Sequence, residues 1–159
     1  LIEKLEQLSG NHNMQLYNHA VGGATSLDGL NRIHWCQRED HSADLTFIMF
    51  GLNDIHQDLS IEEYSQNLRG MVESLKQIPC EIVMLSPTPY LSRAEEVRAF
   101  RDRVERMSHE NGLAYVDCLG PFYETGDVPD GILWPDGLHL TTEGQRILGN
   151  IVWNGLKRC

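Results

Sequence analysis

At 159 residues the chain is long enough to bury a sizeable core as one domain without disulfide staples. Its 41% hydrophobic share excludes a disordered segment, and no apolar run approaches the roughly 20 residues that span a bilayer. The formal net charge of −10 argues against a nucleic-acid partner and against anionic membrane surfaces, since both need a clustered basic face.

The chain opens on Leu1 without an initiator Met, and residues 1–8 already read as an amphipathic helix, as expected of a mature or fragmentary chain. Gly10 suits the end of that helix, and 14–18 forms a short strand candidate. Gly22-Gly23 breaks the chain, and Ser26 or Asp28 caps a helix running toward Cys36. Residues 44–50 make the strongest strand, apolar throughout after Asp44, as a strand covered on both faces should be. Gly51-Leu52-Asn53-Asp54 ends it. Ser60 with Glu63 makes a capping box, and Ile61, Tyr64, Leu68, Met71, Val72 and Leu75 follow at helical spacing up to Pro79.

Residues 81–86 form the next strand, stopped by Pro87 and Pro89. Ser92 with Glu95 predicts a second capping box, ahead of a face of Val97, Phe100, Val104 and Met107 that ends at Asn111-Gly112. Residues 113–118 are the last strand. A polar loop from Gly120 to Leu140 leads to a helix capped by Thr141 or Thr142 and carrying Ile147, Leu148, Ile151 and Val152. Strands alternating with helices predict an α/β fold with a parallel sheet covered on both faces, and ligands bind such sheets at the carboxyl ends of their strands.

Three weak signals fall at those ends. In Asp136-Gly137-Leu138-His139, a carboxylate three residues before an imidazole can fix its tautomer and stabilise its protonated form. In Gly51-Leu52-Asn53-Asp54, Asn53 can aim an amide N–H at a developing oxyanion while Asp54 holds the loop by accepting backbone N–H groups. Gly22-Gly23 frees a backbone N–H and admits positive φ. Each pattern alone is more often a turn than a site; their conjunction in one order is far rarer. His12, His34, His41 and His109 have no ligand spacing, and Cys36, Cys80, Cys118 and Cys159 form no C-x-x-C pair, so no metal is expected. Cys80 and Cys118 read as small buried residues. His19 and His56 read as loop histidines with structural bonds, and Trp134 as packing of its loop, while Pro87-Thr88-Pro89-Tyr90 borders the cleft.

Together, Val21-Gly22-Gly23-Ala24-Thr25-Ser26, then Gly51-x-Asn53-Asp54, then Trp134-Pro135-Asp136-Gly137-Leu138-His139-Leu140-Thr141-Thr142-Glu143-Gly144 resemble the second, third and fifth blocks of the SGNH (GDSL) hydrolases over nearly the whole chain. The resemblance implies a flavodoxin-like three-layer α/β/α sandwich and cofactor-free hydrolysis of a small-molecule ester (acetyl, lipid or thioester) through an acyl-enzyme. It makes His139 the general base, Asp136 its orienter, and Gly23 and Asn53 the oxyanion hole, with Gly51 and Asp54 in support. The first block, Gly-Asp-Ser at the end of the first strand, is not in these residues, so the resemblance puts the nucleophile and that strand before Leu1 and leaves the domain, 1–159, incomplete at its N-terminus. Ser9-Gly10-Asn11-His12 spells the family letters by accident, in a turn, and neither Ser26 nor Ser86 matches the first block. The alternative is a family member that lost its nucleophile and binds instead.

Overall fold

The computed structural model describes residues 15–37 and 43–158. The helix expected over 1–8 lies outside them, as does Met14 of the first strand candidate. Residues 15–18 carry no strand, and Tyr17 is exposed.

Thr25 starts helix α1 (Ser26–Arg32), its hydroxyl accepting the Asp28 N–H while the Asp28 carboxylate returns to the Thr25 N–H, a reciprocal cap. The cap residue is thus Thr25, with Asp28 its partner three positions on. A 3₁₀ segment (Ile33–Gln37) follows α1. Strand β1 (Leu45–Met49) then runs into a short helix, α2 (Leu52–His56). The Ser60–Glu63 box caps α3 (Ile61–Leu75) as the spacing predicts. Strand β2 (Glu81–Leu85) leads through a 3₁₀ turn (Leu91–Arg93) to α4 (Ala94–Asn111), which ends on Gly112 in the left-handed region at φ +62°. Strand β3 (Ala114–Val116), a 3₁₀ segment (Gly120–Tyr123) and α5 (Thr142–Leu156) complete the order.

The Ser92–Glu95 capping box does not form. Helix α4 starts one residue later than that box requires, on Arg93, whose guanidinium bonds Glu96 and reaches Asp58 at 2.7 Å, while Glu95 pairs with Arg98. These ion pairs compete for the same side chains and set the start of the helix.

The sheet is parallel in the order β1-β2-β3, with Leu45 opposite Glu81, Met49 opposite Leu85, and Val83 opposite Ala114. Period-two alternation divides its side chains between two cores. Ile48, Ile82 and Met84 pack on α3 and α4 through Leu68, Met71, Val97 and Val104. Val83, Leu85 and Val116 pack on α5 through Leu148 and Val152. Helices on both faces make the three layers of an α/β/α sandwich. Among the described residues β1 is paired along one edge only. Cys36, Cys80 and Cys118 are free thiols; burial pushes that of Cys118 up to about 12, whereas Cys80 is only half-buried and sits 3.2 Å from the Thr46 hydroxyl.

Candidate active site

Parallel strands all end on one side, so the loops after β1 and β2 and the glycine loop before α1 meet there. They enclose a cavity of about 420 Å³, together with the loop before α5. Its wall includes Gly22, Gly23, Gly51, Asn53, Pro87, Thr88 and His139, so four of the six residues singled out in the sequence line one space. The other two, Asp54 and Asp136, lie behind it as supports.

Gly23 adopts φ +79°, and a Cβ there would meet nothing within 4 Å, so the requirement for glycine is conformational rather than steric. The turn is closed by the Ala24 N–H on the Val21 carbonyl at 3.2 Å, and the Gly23 N–H finds no acceptor among the described residues. Gly51, at φ +129°, bends the chain from β1 into α2; a Cβ there would press on Pro87 at 3.3 Å. The hydroxyl of fully buried Tyr64 donates to the Phe50 carbonyl at 3.1 Å and pins the end of the strand. Asn53 Nδ2 donates to the Ala24 carbonyl at 2.9 Å, which ties the two loops together and uses one of its two N–H bonds.

Asp54 has no exposed surface. Its carboxylate accepts the Ser26 N–H at 3.0 and 3.1 Å and the Ser26 hydroxyl as well, and Asn67 of α3 donates to that hydroxyl oxygen at 3.0 Å. Asp54 therefore accepts a backbone N–H, as anticipated, but one 28 residues away rather than within its own turn. The sequence offers Ser26 only as a helix cap and a rejected nucleophile, so its tie to Asp54 was missed, and Asn67 was missed altogether. Asn67 carried a readable signal, a polar side chain on the apolar stripe of Tyr64, Leu68 and Met71.

The Asp136 carboxylate organises its loop from within. One oxygen accepts the N–H groups of Leu138 and His139 at 2.9 and 3.0 Å, and the other faces His139 Nδ1 at 2.9 Å. The backbone N–H of His139, then that of Leu138, then the imidazole hold the Asp136 carboxyl at about 2. With an ionised carboxylate as acceptor, Nδ1 carries the proton and Nε2 presents its lone pair. No described residue bonds Nε2. Around this pair the Trp134 N–H donates to the His139 carbonyl at 2.8 Å, and Leu133 bridges Leu140 antiparallel, closing the loop on itself.

Thr141 caps α5 through the Gly144 N–H at 3.2 Å and also donates to the Gly131 carbonyl at 2.7 Å. A Cβ on Gly144 would lie 2.4 Å from the Ile132 carbonyl oxygen, a backbone atom that cannot swing aside. Gly144→Ala should therefore cost about 1–3 kcal/mol by pushing α5 off this loop. A thermal midpoint equal to that of the parent would contradict the close approach.

Pro87 and Thr88 line the cavity, and so does His19, which the sequence reads as a loop histidine with a structural bond; it stacks on Tyr17 at 6.4 Å. His56 stays outside it, 3.4 Å from the Tyr90 hydroxyl, and Trp134 is mostly exposed in a neighbouring cavity of about 190 Å³. Ser26 and Ser86 are both fully buried, and the Ser86 hydroxyl takes the Cys118 N–H at 2.7 Å. Among the described residues no three His, Cys, Asp or Glu side chains gather as metal ligands, and no helix is long and apolar enough to cross a membrane.

The fold is the three-layer α/β/α sandwich of the SGNH type. The chain belongs to the GDSL-like lipase/acylhydrolase family, whose model matches residues 4–147. It is 28% identical over 145 residues to the human isoamyl acetate-hydrolyzing esterase 1 homolog, covering 73% of this chain and 58% of that protein. A GDSL esterase/lipase of Arabidopsis thaliana is 27% identical over 134 residues, covering 65% of this chain and 55% of the plant protein. The chain thus spans just over half the length of the curated relatives it matches. An acetylxylan esterase from Geobacillus stearothermophilus shares its fold at TM-score 0.83 and 19% identity, over 98% of this chain and 78% of the other. A lipolytic protein of the G-D-S-L family from Veillonella parvula does so at TM-score 0.82 and 17% identity, over 99% and 87% of the two chains.

Proposed function

We propose that this chain carries the base and the oxyanion hole of a serine esterase acting on carboxylic esters of small acyl groups, with the nucleophilic serine in sequence before Leu1. The serine hydroxyl attacks the ester carbonyl while His139 Nε2 takes its proton. The oxyanion so formed accepts hydrogen bonds from the Gly23 N–H and from the Asn53 N–H not used on Ala24. His139 returns the proton to the departing alcohol, and water then cleaves the acyl-enzyme by the same steps. The observation that carries this reading is a single cavity lined by Gly23, Asn53 and a histidine whose other nitrogen is held by Asp136. The relatives' names support ester hydrolysis, and the acetylxylan esterase makes acetyl esters a candidate substrate.

The burial of Ser26 and Ser86 supports a nucleophile from elsewhere, and so does the edge of β1 that no described strand pairs, since β1 reaches the cavity at Met49. Residues 1–159 alone should show little or no turnover of 4-nitrophenyl acetate and no labelling by a fluorophosphonate. The same chain with its upstream coding sequence should form a covalent serine adduct that requires His139. A His139-dependent adduct on a serine within 1–159 would overturn the placement of the nucleophile. An upstream sequence without an alkylatable serine would favour the binding-domain reading instead.

A further inference from the structure

One cation stands in the cavity wall without a role in the chemistry above. Arg32 lies at the C-terminal end of α1 and lines the same space as Gly23, Asn53 and His139. Side chains of a helix lean toward its N-terminus, and the N-terminus of α1 is the glycine loop itself.

The Arg32 guanidinium carbon lies over the Trp35 indole, 5.7 Å from the ring centroid. His19, another cavity residue, meets that indole edge-on at 5.9 Å. A contact between a cation and a π-face uses none of the guanidinium's five N–H donors. No oxygen among the described residues accepts from them. Asp28, one turn back on α1, gives its carboxylate to the N–H and hydroxyl of Thr25 and stays beyond ion-pair distance. A guanidinium in the wall of a cavity, with no acceptor among the described residues, is suited to hold an anionic ligand.

The edge of a guanidinium matches a carboxylate through two parallel N–H···O bonds. Arg32 is the one Lys or Arg among the described cavity residues, so the charge to be matched is a single negative one, which a carboxylate satisfies and a phosphate dianion exceeds. The net charge of −10 opposes an anion only at long range. Within the cavity the local cation prevails, since salt screens charges beyond roughly 8 Å.

We propose, building on the esterase reading, that the substrate is a short ester with a carboxylate at the end remote from the reacting carbonyl, clasped by Arg32. The carboxylate belongs either to the acyl part, as in a half-ester of a dicarboxylic acid, or to the alcohol part, as in an acylated hydroxy acid. The test uses the full-length protein and reads kcat/KM for two pairs: 4-nitrophenyl hydrogen glutarate against 4-nitrophenyl pentanoate, and acetoxyacetate against propyl acetate. Arg32→Gln should lower the ratio of charged to neutral ester by about 10–100-fold in one pair, which identifies the side bearing the carboxylate. Arg32→Lys should lower it less, because it keeps the charge and loses the fork. Both ratios unmoved within twofold would overturn the proposal. A readout without turnover accompanies it: titration with the ketones 5-oxohexanoate and 4-oxopentanoate, which mimic the two charged esters and have no ester bond, should shift the Arg32 Nε–H resonance with one of them, and a resonance stationary with both would overturn the proposal as well. No turnover of any of the four esters by the full-length protein would count against the esterase reading and leave the role of Arg32 to the titration.

Discussion

In the full-length protein, His139→Ala should lower kcat/KM for a short acyl ester by about 10⁴-fold or more, with no comparable change in thermal midpoint. The size follows from what the residue does in the proposed mechanism: without a base the serine hydroxyl is a poor nucleophile, and without an acid the alcohol leaves as an alkoxide. Removing one member of such a unit costs nearly as much as removing all of it. The small stability effect follows from exposure, because the His139 side chain is 73% exposed and packs on little. Asp136→Asn should cost almost as much in rate for another reason. An amide in place of the carboxylate no longer fixes the proton on Nδ1, so the tautomer with a lone pair at Nε2 ceases to be favoured. Steady-state kinetics with burst analysis would measure both. Turnover within tenfold of the parent after His139→Ala would remove that residue from the role of base.

The pH profile gives the same assignment a second handle. The Asp136 carboxyl is held at about 2, below the ordinary aspartate value, by two backbone N–H groups and the imidazole. A lowered carboxylate is charged in both folded and unfolded chains above its ordinary value, so its stabilising effect is complete there and fades only as the pH falls toward 2. Any loss of rate on mild acidification therefore belongs to another group.

Local patterns were legible in the sequence; the starts of some elements and the long-range ties were not. Residues 45–49 read as a strand because both faces are covered, leaving no polar alternation to confuse the pattern. The Ser60–Glu63 box was readable because nothing else claims either side chain. The same spelling at Ser92–Glu95 misled, because Arg93 is drawn to Asp58, 35 residues away, and the helix starts where that contact leaves it. Gly23, Asn53 and His139 could be grouped through a resemblance, yet no local rule brings three loops to one cavity. That convergence comes from parallel β1 and β2 ending side by side. Arg32 carries no signal of its own in the sequence, and its place in the cavity wall emerges only from the fold.

The second large effect concerns stability. Asp54→Ala should destabilise the protein by about 3 kcal/mol, because it strands the N–H and hydroxyl of Ser26, each costing roughly 1–3 kcal/mol when left buried without a partner. For a chain of 159 residues that corresponds to a fall of about 6–12 °C in thermal midpoint. Removing a buried charge also relieves its desolvation, which offsets part of the loss. The N–H and hydroxyl bonds to Ser26 are nevertheless the larger effect, since among the described residues nothing else reaches these atoms except Asn67, itself a donor. Asp54→Asn should fall between parent and alanine: it keeps one acceptor oxygen and turns an N–H₂ toward groups that already donate. Rate should suffer beyond the unfolded fraction, even well below the midpoint. Asp54 joins the first turn of α2, which carries Asn53, to the first turn of α1, which follows Gly23, so its loss lets the two proposed oxyanion donors drift apart. Calorimetry and kcat at a temperature where every variant is folded separate the two effects. An alanine variant that melts within 2 °C of the parent would show that the buried carboxylate is not what holds these loops together.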